Sequence, residues 1–208
     1  WLAVRAARRP AREIFPFAAV PKDFWLAVLF TAMGWSILGS ELSNVISLAL
    51  PPPEWVIDIF SGLQSAGLAS FLLLVVIAPV TEEFLFRGAI LQGFLRRYSA
   101  RKAILVSAIF FGALHMNPWQ FGPAVVLGII YGWWCLRTNS LGPGLVGHAL
   151  NNAMGLIVGG LLGLEIQGFT DEAVGNLQPL WLDILGLTLF AAGMLLATRS
   201  FARRQSEA

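Results

Sequence analysis

The sequence predicts an all-α protein, a polytopic transmembrane bundle of about six helical spans with both termini in the cytosol. First, 57% of the 208 residues are hydrophobic and only 12% are charged, which gives a mean hydropathy of +0.71. Second, the chain carries 21 Gly and eight Trp, as is typical of packed transmembrane helices with interfacial anchors. Third, its apolar residues fall into long runs that have basic residues at alternate ends.

Six apolar runs predict the helices. They cover approximately residues 24–50, 63–95, 103–116, 119–136, 141–164 and 180–198. At a rise of about 1.5 Å per residue, most of them suit a hydrocarbon core of about 30 Å. The third run is short, and we expect it to lie inside the bundle. The second run contains Pro79, where we expect a break or kink because proline removes a backbone donor and clashes with the preceding turn.

The charged residues predict the orientation. Basic residues precede the first run and follow the second, fourth and sixth, whereas the alternate connections hold acidic residues and no Lys or Arg. This distribution follows the positive-inside rule. The basic residues are Arg5, Arg8, Arg9, Arg12, Lys22, Arg96, Arg97, Arg101, Lys102, Arg137, Arg199, Arg203 and Arg204, and the acidic ones are Glu54, Asp58, Glu165, Asp171 and Glu172.

This pattern divides the chain into three parts. Residues 1–23 form a basic cytosolic or interfacial segment, residues 24–198 form the helical membrane domain, and residues 199–208 form a basic cytosolic tail. We expect a multi-pass integral membrane protein, located in a bacterial inner membrane, that contacts lipids and does not bind nucleic acid.

Several ionisable residues lie within the apolar runs, where a charge is costly and therefore marks a functional site. They are Glu82, Glu83, Arg87, His115 and His148. Glu82 is 14 residues from Arg96, His115 is 13 from Lys102, and His148 is 11 from Arg137. At helical rise these separations are roughly 16–21 Å from the same side. Three helices therefore bring polar side chains to a similar depth.

Spacing along each helix predicts local pairs. Glu83 and Arg87 are four residues apart on one face and can form an ion pair. Glu82 points about 100° away from Glu83 and is free for another role. His148 and Asn152 also share a face, and Asn151 is an alternative partner at the third position.

These residues suit hydrolysis at a carbonyl group. Glu82 with His115 can polarise a water molecule for attack on a carbonyl, and His148 with Asn152 can stabilise the developing oxyanion. The sequence has no Gly-x-Ser-x-Gly motif, and its one cysteine, Cys135, lies in a Trp-rich stretch of structural character. A hydrolytic water is therefore favoured over a covalent nucleophile. For Glu41 in the first run, we favour a polar groove with Ser40, Ser43 and Asn44 over a catalytic role.

Three motifs resemble those of the CPBP family, the CAAX proteases and bacteriocin-processing enzymes, also called Abi. Residues 82–87 resemble its Glu-Glu-x-x-x-Arg motif, residues 111–115 its Phe-x-x-x-His motif, and residues 148–152 its His-x-x-x-Asn motif, in the expected order within 79–152. The resemblance implies an intramembrane endopeptidase related to type II CAAX prenyl endopeptidases. Its substrate would be a peptide or membrane protein, possibly lipidated. The resemblance implies Glu82, His115, His148 and Asn152 as catalytic residues and Glu83 and Arg87 as supporting ones.

Alternatives stay open at this point. The family has been interpreted both as glutamate-dependent and as metal-dependent; we favour the former, with no cofactor, and the alternative is zinc held by Glu82, His115 and His148. A non-catalytic membrane protein of the same fold, acting in bacteriocin immunity or regulation, is the alternative function. A proton-coupled transporter is less favoured because no inverted repeat is visible.

Overall fold

Eight helices make up the computed structural model, which describes residues 10–65, 67–171 and 175–206. They are α1 Ala11–Ile14, α2 Phe24–Ala49, α3 Glu54–Ser65, α4 Gly67–Phe94, α5 Ala100–Leu114, α6 Pro118–Thr138, α7 Gly142–Gly155 with a π-helical extension Leu156–Leu161, and α8 Leu180–Ser206. These ranges contain no strand, and an isolated β-bridge pairs Phe17 with Ser140. The predicted all-α helical bundle is confirmed. Arg5, Arg8, Arg9 and Glu172 of the charge pattern lie outside the described residues.

Four of the helices in the described ranges are long and apolar enough to cross a membrane. They are Phe24–Ala49, Gly67–Phe94, Pro118–Thr138 and Leu180–Arg203. Four spans therefore meet this requirement, compared with the six or so that the sequence predicts. Helix α5 has 15 residues, and α7 carries His148 and two asparagines, which lower its apolar character. The cytosolic placement of both termini stays a prediction.

Of the break or kink that the sequence predicts at Pro79, the structure shows no break. Helix α4 continues from Gly67 to Phe94 and contains two π-helical segments, Leu72–Ile77 and Phe84–Ile90, on either side of the proline. The Ala78 N–H donates to the Leu73 carbonyl, five residues back. The wider π-helical turn changes which backbone N–H and C=O groups are hydrogen-bonded next to Pro79. The helix is therefore distorted there, but it remains continuous.

Glycines bring the helices into close contact. A Cβ at Gly34 of α2 would lie 2.7 Å from the Gly186 carbonyl oxygen of α8, and a Cβ at Gly128 of α6 would lie 2.7 Å from Ala108 Cα of α5. Close approach at small residues is the usual packing device of membrane helices. An aromatic core joins α2, α6 and α8, in which Phe24 contacts Trp134 edge-on at 5.7 Å and Phe201 at 5.0 Å.

The loop before α8 is hydrogen-bonded to α2. The Gly168 carbonyl accepts from Ser40 at 3.1 Å and from Asn44 at 2.6 Å. A carboxylate oxygen of Glu41 accepts from Asn44 at 3.1 Å and from the Gln178 backbone at 2.9 Å. Glu41 therefore takes part in a structural network with Asn44, as the polar-groove interpretation predicts.

Residues 10–23 pack against the end of α4 that follows the Glu pair. Phe15 and Phe17 contact Phe84 at ring-centroid distances of 5.2 and 5.9 Å, and a Cβ at Gly88 would lie 2.5 Å from the Phe15 ring. The Leu141 N–H, at the start of α7, donates to the Pro16 carbonyl at 2.8 Å. This segment thus connects the helix of the first motif to the helix of the third.

Candidate active site

The first motif forms a buried ion pair. Glu83 Oε1 lies 2.9 Å from an Arg87 guanidinium nitrogen, and both side chains are excluded from solvent. The guanidinium carbon stands 4.3 Å from the centre of the Phe111 ring and 5.3 Å from that of Tyr131. An unpaired buried guanidinium would be very costly, so the carboxylate and the two ring faces together stabilise it. The predicted contact is present.

Glu83 also joins the first motif to the third. The same Oε1 lies 3.2 Å from His148 Nδ1, and His148 is only 4% exposed. Sequence reasoning missed this contact between α4 and α7. A signal for it existed in Gly144, which is four residues before His148 on the same face. A Cβ at Gly144 would lie 2.5 Å from Glu83 Oε2, so the glycine makes room for the carboxylate.

Glu82 faces the other nitrogen of the same imidazole. Its Oε2 lies 3.9 Å from His148 Nε2, a distance that a water molecule can bridge. This oxygen is buried and has no hydrogen-bond partner among the described residues, although the side chain as a whole is 21% exposed. Glu82 is therefore free for another role, as its helical position predicts, and the nearest ionisable group it faces is His148.

His115 ends α5 next to the Phe111 ring. Its Nδ1 lies 3.0 Å from the Phe111 carbonyl oxygen. Because a carbonyl can only accept, Nδ1 carries the proton and Nε2 of the neutral ring is an acceptor. The Phe111 ring contacts His115 edge-on at 5.3 Å and His148 edge-on at 5.6 Å. The phenylalanine of the second motif thus contacts both histidines.

Asn152 is oriented by two neighbours. Its Nδ2 donates to the Leu74 carbonyl in the first π-helical segment of α4 at 2.9 Å. Its Oδ1 accepts from Asn151 Nδ2 at 3.4 Å. The amide nitrogen carries two protons, so one remains for a ligand.

A cavity of about 180 Å³ brings together side chains of the second and third motifs, and Glu82, Glu83 and Arg87 of the first motif are not among its lining residues. Residues of the second and third motifs form one side, and α2 and α6 form the rest. The lining comprises His115, His148, Asn151 and Asn152, with Trp35, Ser36, Gly39, Ser40, Ser43, Phe111, Gln120, Pro123, Ala124 and Leu127. The contribution of α2 was not predicted, because nothing in an apolar run with scattered serines indicates which face meets a cavity.

The predicted alternative of a zinc site, with Glu82, His115 and His148 as ligands, stays a prediction, and this arrangement lends it no support. Within the described ranges no three His, Cys, Asp or Glu side chains are grouped closely enough to hold a metal ion. Glu82 and His148 approach each other, but His148 Nδ1 is engaged by Glu83. A catalytic zinc site needs three protein ligands around one point.

Comparison with known proteins covers the same motifs. Residues 64–154 match the family model described as type II CAAX prenyl endopeptidase Rce1-like. "Uncharacterized protein YyaK" of Bacillus subtilis (strain 168) is 28% identical over 164 residues, which cover 73% of this chain and 54% of that protein. The chain therefore spans about half the length of this relative. No solved structure matches the chain.

The matched range 64–154 contains the whole of the three motifs, from Glu82 to Asn152. The four long apolar helices are those of an integral membrane protein. This membrane protein matches, over residues 64–154, the Rce1-like family of type II CAAX prenyl endopeptidases, which confirms the family resemblance that its motifs predict.

Proposed function

We propose that this protein is an intramembrane endopeptidase that hydrolyses a peptide bond with a water molecule activated by Glu82 and His115. One observation carries the proposal. Arg87 of the first motif and the histidines of the second and third motifs all contact the Phe111 ring, and His115, His148 and Asn152 line a single cavity beside it. Polar groups within apolar helices are costly, and their convergence at a cavity is the usual sign of a working site.

Two acceptors would polarise the water. The unpartnered Oε2 of Glu82 and the Nε2 of His115 can each accept one of its protons. As the water oxygen attacks the carbonyl carbon, one proton passes to Glu82. The same proton later passes to the leaving amine, so that the products are a carboxylate and an amine.

His148 and Asn152 would stabilise the oxyanion. Glu83, which pairs with Arg87, accepts from His148 Nδ1, and in a protonated ring Nε2 would also donate. The second amide proton of Asn152 provides another donor. Preorganised donors of this kind are worth about 3–4 kcal/mol each in other hydrolases. Glu83 and Arg87 act as positioning residues because they reach the substrate only through His148.

The substrate in this proposal is a peptide or membrane protein, with or without a lipid modification, that enters from a bacterial inner membrane. Apolar side chains on α4 support lateral entry, since Leu68, Leu72 and Leu73 are 46–73% exposed on the outer surface of that helix. We favour processing of a peptide or membrane protein over trimming of a CAAX terminus. The glutamate mechanism without a cofactor is part of the same proposal.

The test is a cleavage screen with the purified full chain in lipid nanodiscs. Two peptide pools are used, one S-farnesylated at a cysteine near the C-terminus and one unmodified, and the water is enriched in ¹⁸O. Cleavage by wild type with one ¹⁸O in the new carboxylate, and its loss in Glu82→Gln, His115→Gln and His148→Gln, would support the proposal. Glu54→Gln, at an exposed carboxylate outside the site, is the matched control. If no peptide is cut, or if the site variants cut as fast as Glu54→Gln, the proposal fails.

A further inference from the structure

The wall of the cavity that α2 and α7 provide has two buried polar atoms without a partner. Trp35 Nε1 and Asn151 Oδ1 are both shielded from solvent and make no hydrogen bond to any described residue. Both side chains line the cavity that also contains His115, His148 and Asn152. Trp35 lies outside the three motifs, and Asn151 occupies a variable position of the third. Buried polar atoms are nearly always paired in folded proteins, so two exceptions at one cavity call for an explanation.

The two atoms are chemically complementary. An indole N–H can only donate. Asn151 donates through Nδ2 to Asn152 Oδ1 at 3.4 Å, which fixes the amide so that its unpartnered atom is the acceptor Oδ1. The cavity wall therefore offers one donor and one acceptor. A peptide group, with its carbonyl oxygen and its N–H, would satisfy both.

The residues around Trp35 fix its indole ring and place no side chain against the nitrogen from Gly39. The Trp35 ring packs on Phe190 of α8 at a centroid distance of 5.5 Å, which fixes the indole. Gly39, one turn later on α2, also lines the cavity, and a Cβ there would lie 3.2 Å from Trp35 Nε1. The glycine at this position thus keeps a side chain from crowding the indole nitrogen.

We infer that Trp35 and Asn151 form a subsite for the substrate backbone, in which Trp35 Nε1 donates to a peptide carbonyl and Asn151 Oδ1 accepts from a peptide N–H beside the scissile bond. This inference rests on the proposed function, because it takes the ligand to be a peptide. Trp35 and Asn151 bind and align the chain, whereas the motif residues act on the bond that is cut.

The test measures peptide binding separately from cleavage. The Glu82→Gln protein in nanodiscs is titrated with fluorescein-labelled peptides from the farnesylated and unmodified pools, and the tightest binder is kept as the probe. In that background Trp35→Phe and Asn151→Leu are each expected to weaken binding about 3- to 10-fold, the effect of one lost hydrogen bond. Gly39→Ala should also weaken peptide binding, as Trp35→Phe does. Trp181→Phe, at an exposed tryptophan of α8, is the matched control and should bind like the parent.

Analogues of the probe with a single N-methylated peptide bond identify the contact. At one position of the peptide, N-methylation should weaken binding to the Glu82→Gln parent. The same methyl group should cause no further loss of affinity in the Asn151→Leu variant. A merely structural role for Asn151 would not produce this pattern. If Trp35→Phe and Asn151→Leu bind like Trp181→Phe, the two atoms meet only water and the inference is overturned.

Failure of the two proposals can be told apart. If the expected binding pattern appears but wild type cuts no peptide, the backbone subsite stands and the protease proposal falls. If wild type cuts peptides but no variant changes affinity or the response to N-methylation, the protease proposal stands and the subsite falls. If no probe binds the Glu82→Gln protein, the subsite is overturned, and the cleavage screen with wild type decides the rest.

Discussion

Glu83 Oε1 lies 3.2 Å from His148 Nδ1 and joins α4 to α7 in the interior of the bundle. The same oxygen is 2.9 Å from Arg87, so one carboxylate orients a cation and an imidazole together. The fixed imidazole in turn faces Glu82 at 3.9 Å. The orientation of the candidate site therefore depends on a residue that does not itself need to touch the substrate.

Removal of the Glu83 charge should destabilise the protein. Glu83→Gln leaves Arg87 buried without an ionised partner, and breaking a buried pair in this way costs about 3–5 kcal/mol. We expect a large fall in the melting temperature of the detergent-solubilised protein. The double variant Glu83→Met/Arg87→Met should recover most of this loss, since apolar residues of similar size replace the pair, but it should not recover peptide cleavage. A double variant as unstable as the single one would show that the charge pair is not the cause.

The two histidines should differ in their effects on stability. His148 is 4% exposed and hydrogen-bonded to Glu83, whereas His115 is half-buried and bonded to its own helix. His148→Gln should therefore cost about 1–3 kcal/mol of unfolding free energy, and His115→Gln about 0.5 kcal/mol or less. Both should abolish cleavage. Chemical denaturation followed by tryptophan fluorescence measures the difference, and equal losses for the two variants would contradict the assigned contacts.

Two glycines of α7 provide a matched pair. At Gly144 an added Cβ would lie 2.5 Å from Glu83 Oε2, whereas at Gly155 it would meet no atom within 4 Å. Gly144→Ala should displace the carboxylate and reduce the cleavage rate at least tenfold. Gly155→Ala should leave the rate unchanged and stabilise the helix by up to about 1 kcal/mol. Comparable rates for the two alanine variants would argue against the close approach of α4 and α7.

The contact between α2 and α8 should tolerate no side chain at Gly34. A Cβ there would meet the backbone of α8, at 2.7 Å from the Gly186 oxygen and 2.8 Å from Phe190 Cα. Because a backbone cannot move aside as a flexible side chain can, we expect Gly34→Ala to lower stability by about 1–3 kcal/mol. Gly62→Ala, with open space around its Cβ, is the control. Unfolding of both variants in detergent checks this, and a Gly34→Ala protein as stable as the control would contradict the packing.

Local spacing predicted what lies within one helix. The contact of Glu83 with Arg87 follows from their separation by four residues, and Phe111 and His115 meet for the same reason. The positions of the helices also follow from the apolar runs, which are bounded by prolines and capping residues. At the start of α6, for example, Asn117 caps the helix and Pro118 is its first residue. These features depend on residues close together in the chain.

Contacts between helices were not predictable in the same way. The bond from Glu83 to His148 depends on the rotation of α7 against α4, which the spacing within either helix does not determine. A break or kink was expected at Pro79, and α4 remains continuous there with a π-helical segment on either side. The part played by Trp35 was missed because an indole in an apolar run reads equally well as packing or as a membrane anchor.

The most direct test of the central claim is the rate at which Glu82→Gln cleaves a bound peptide in a single turnover, compared with wild type and Glu54→Gln. If Glu82 activates the water, the rate should fall by about 10²- to 10⁴-fold while peptide affinity and melting temperature stay unchanged. A Glu82→Gln protein that cleaves within about threefold of wild type, with Glu54→Gln as the reference, would contradict the account.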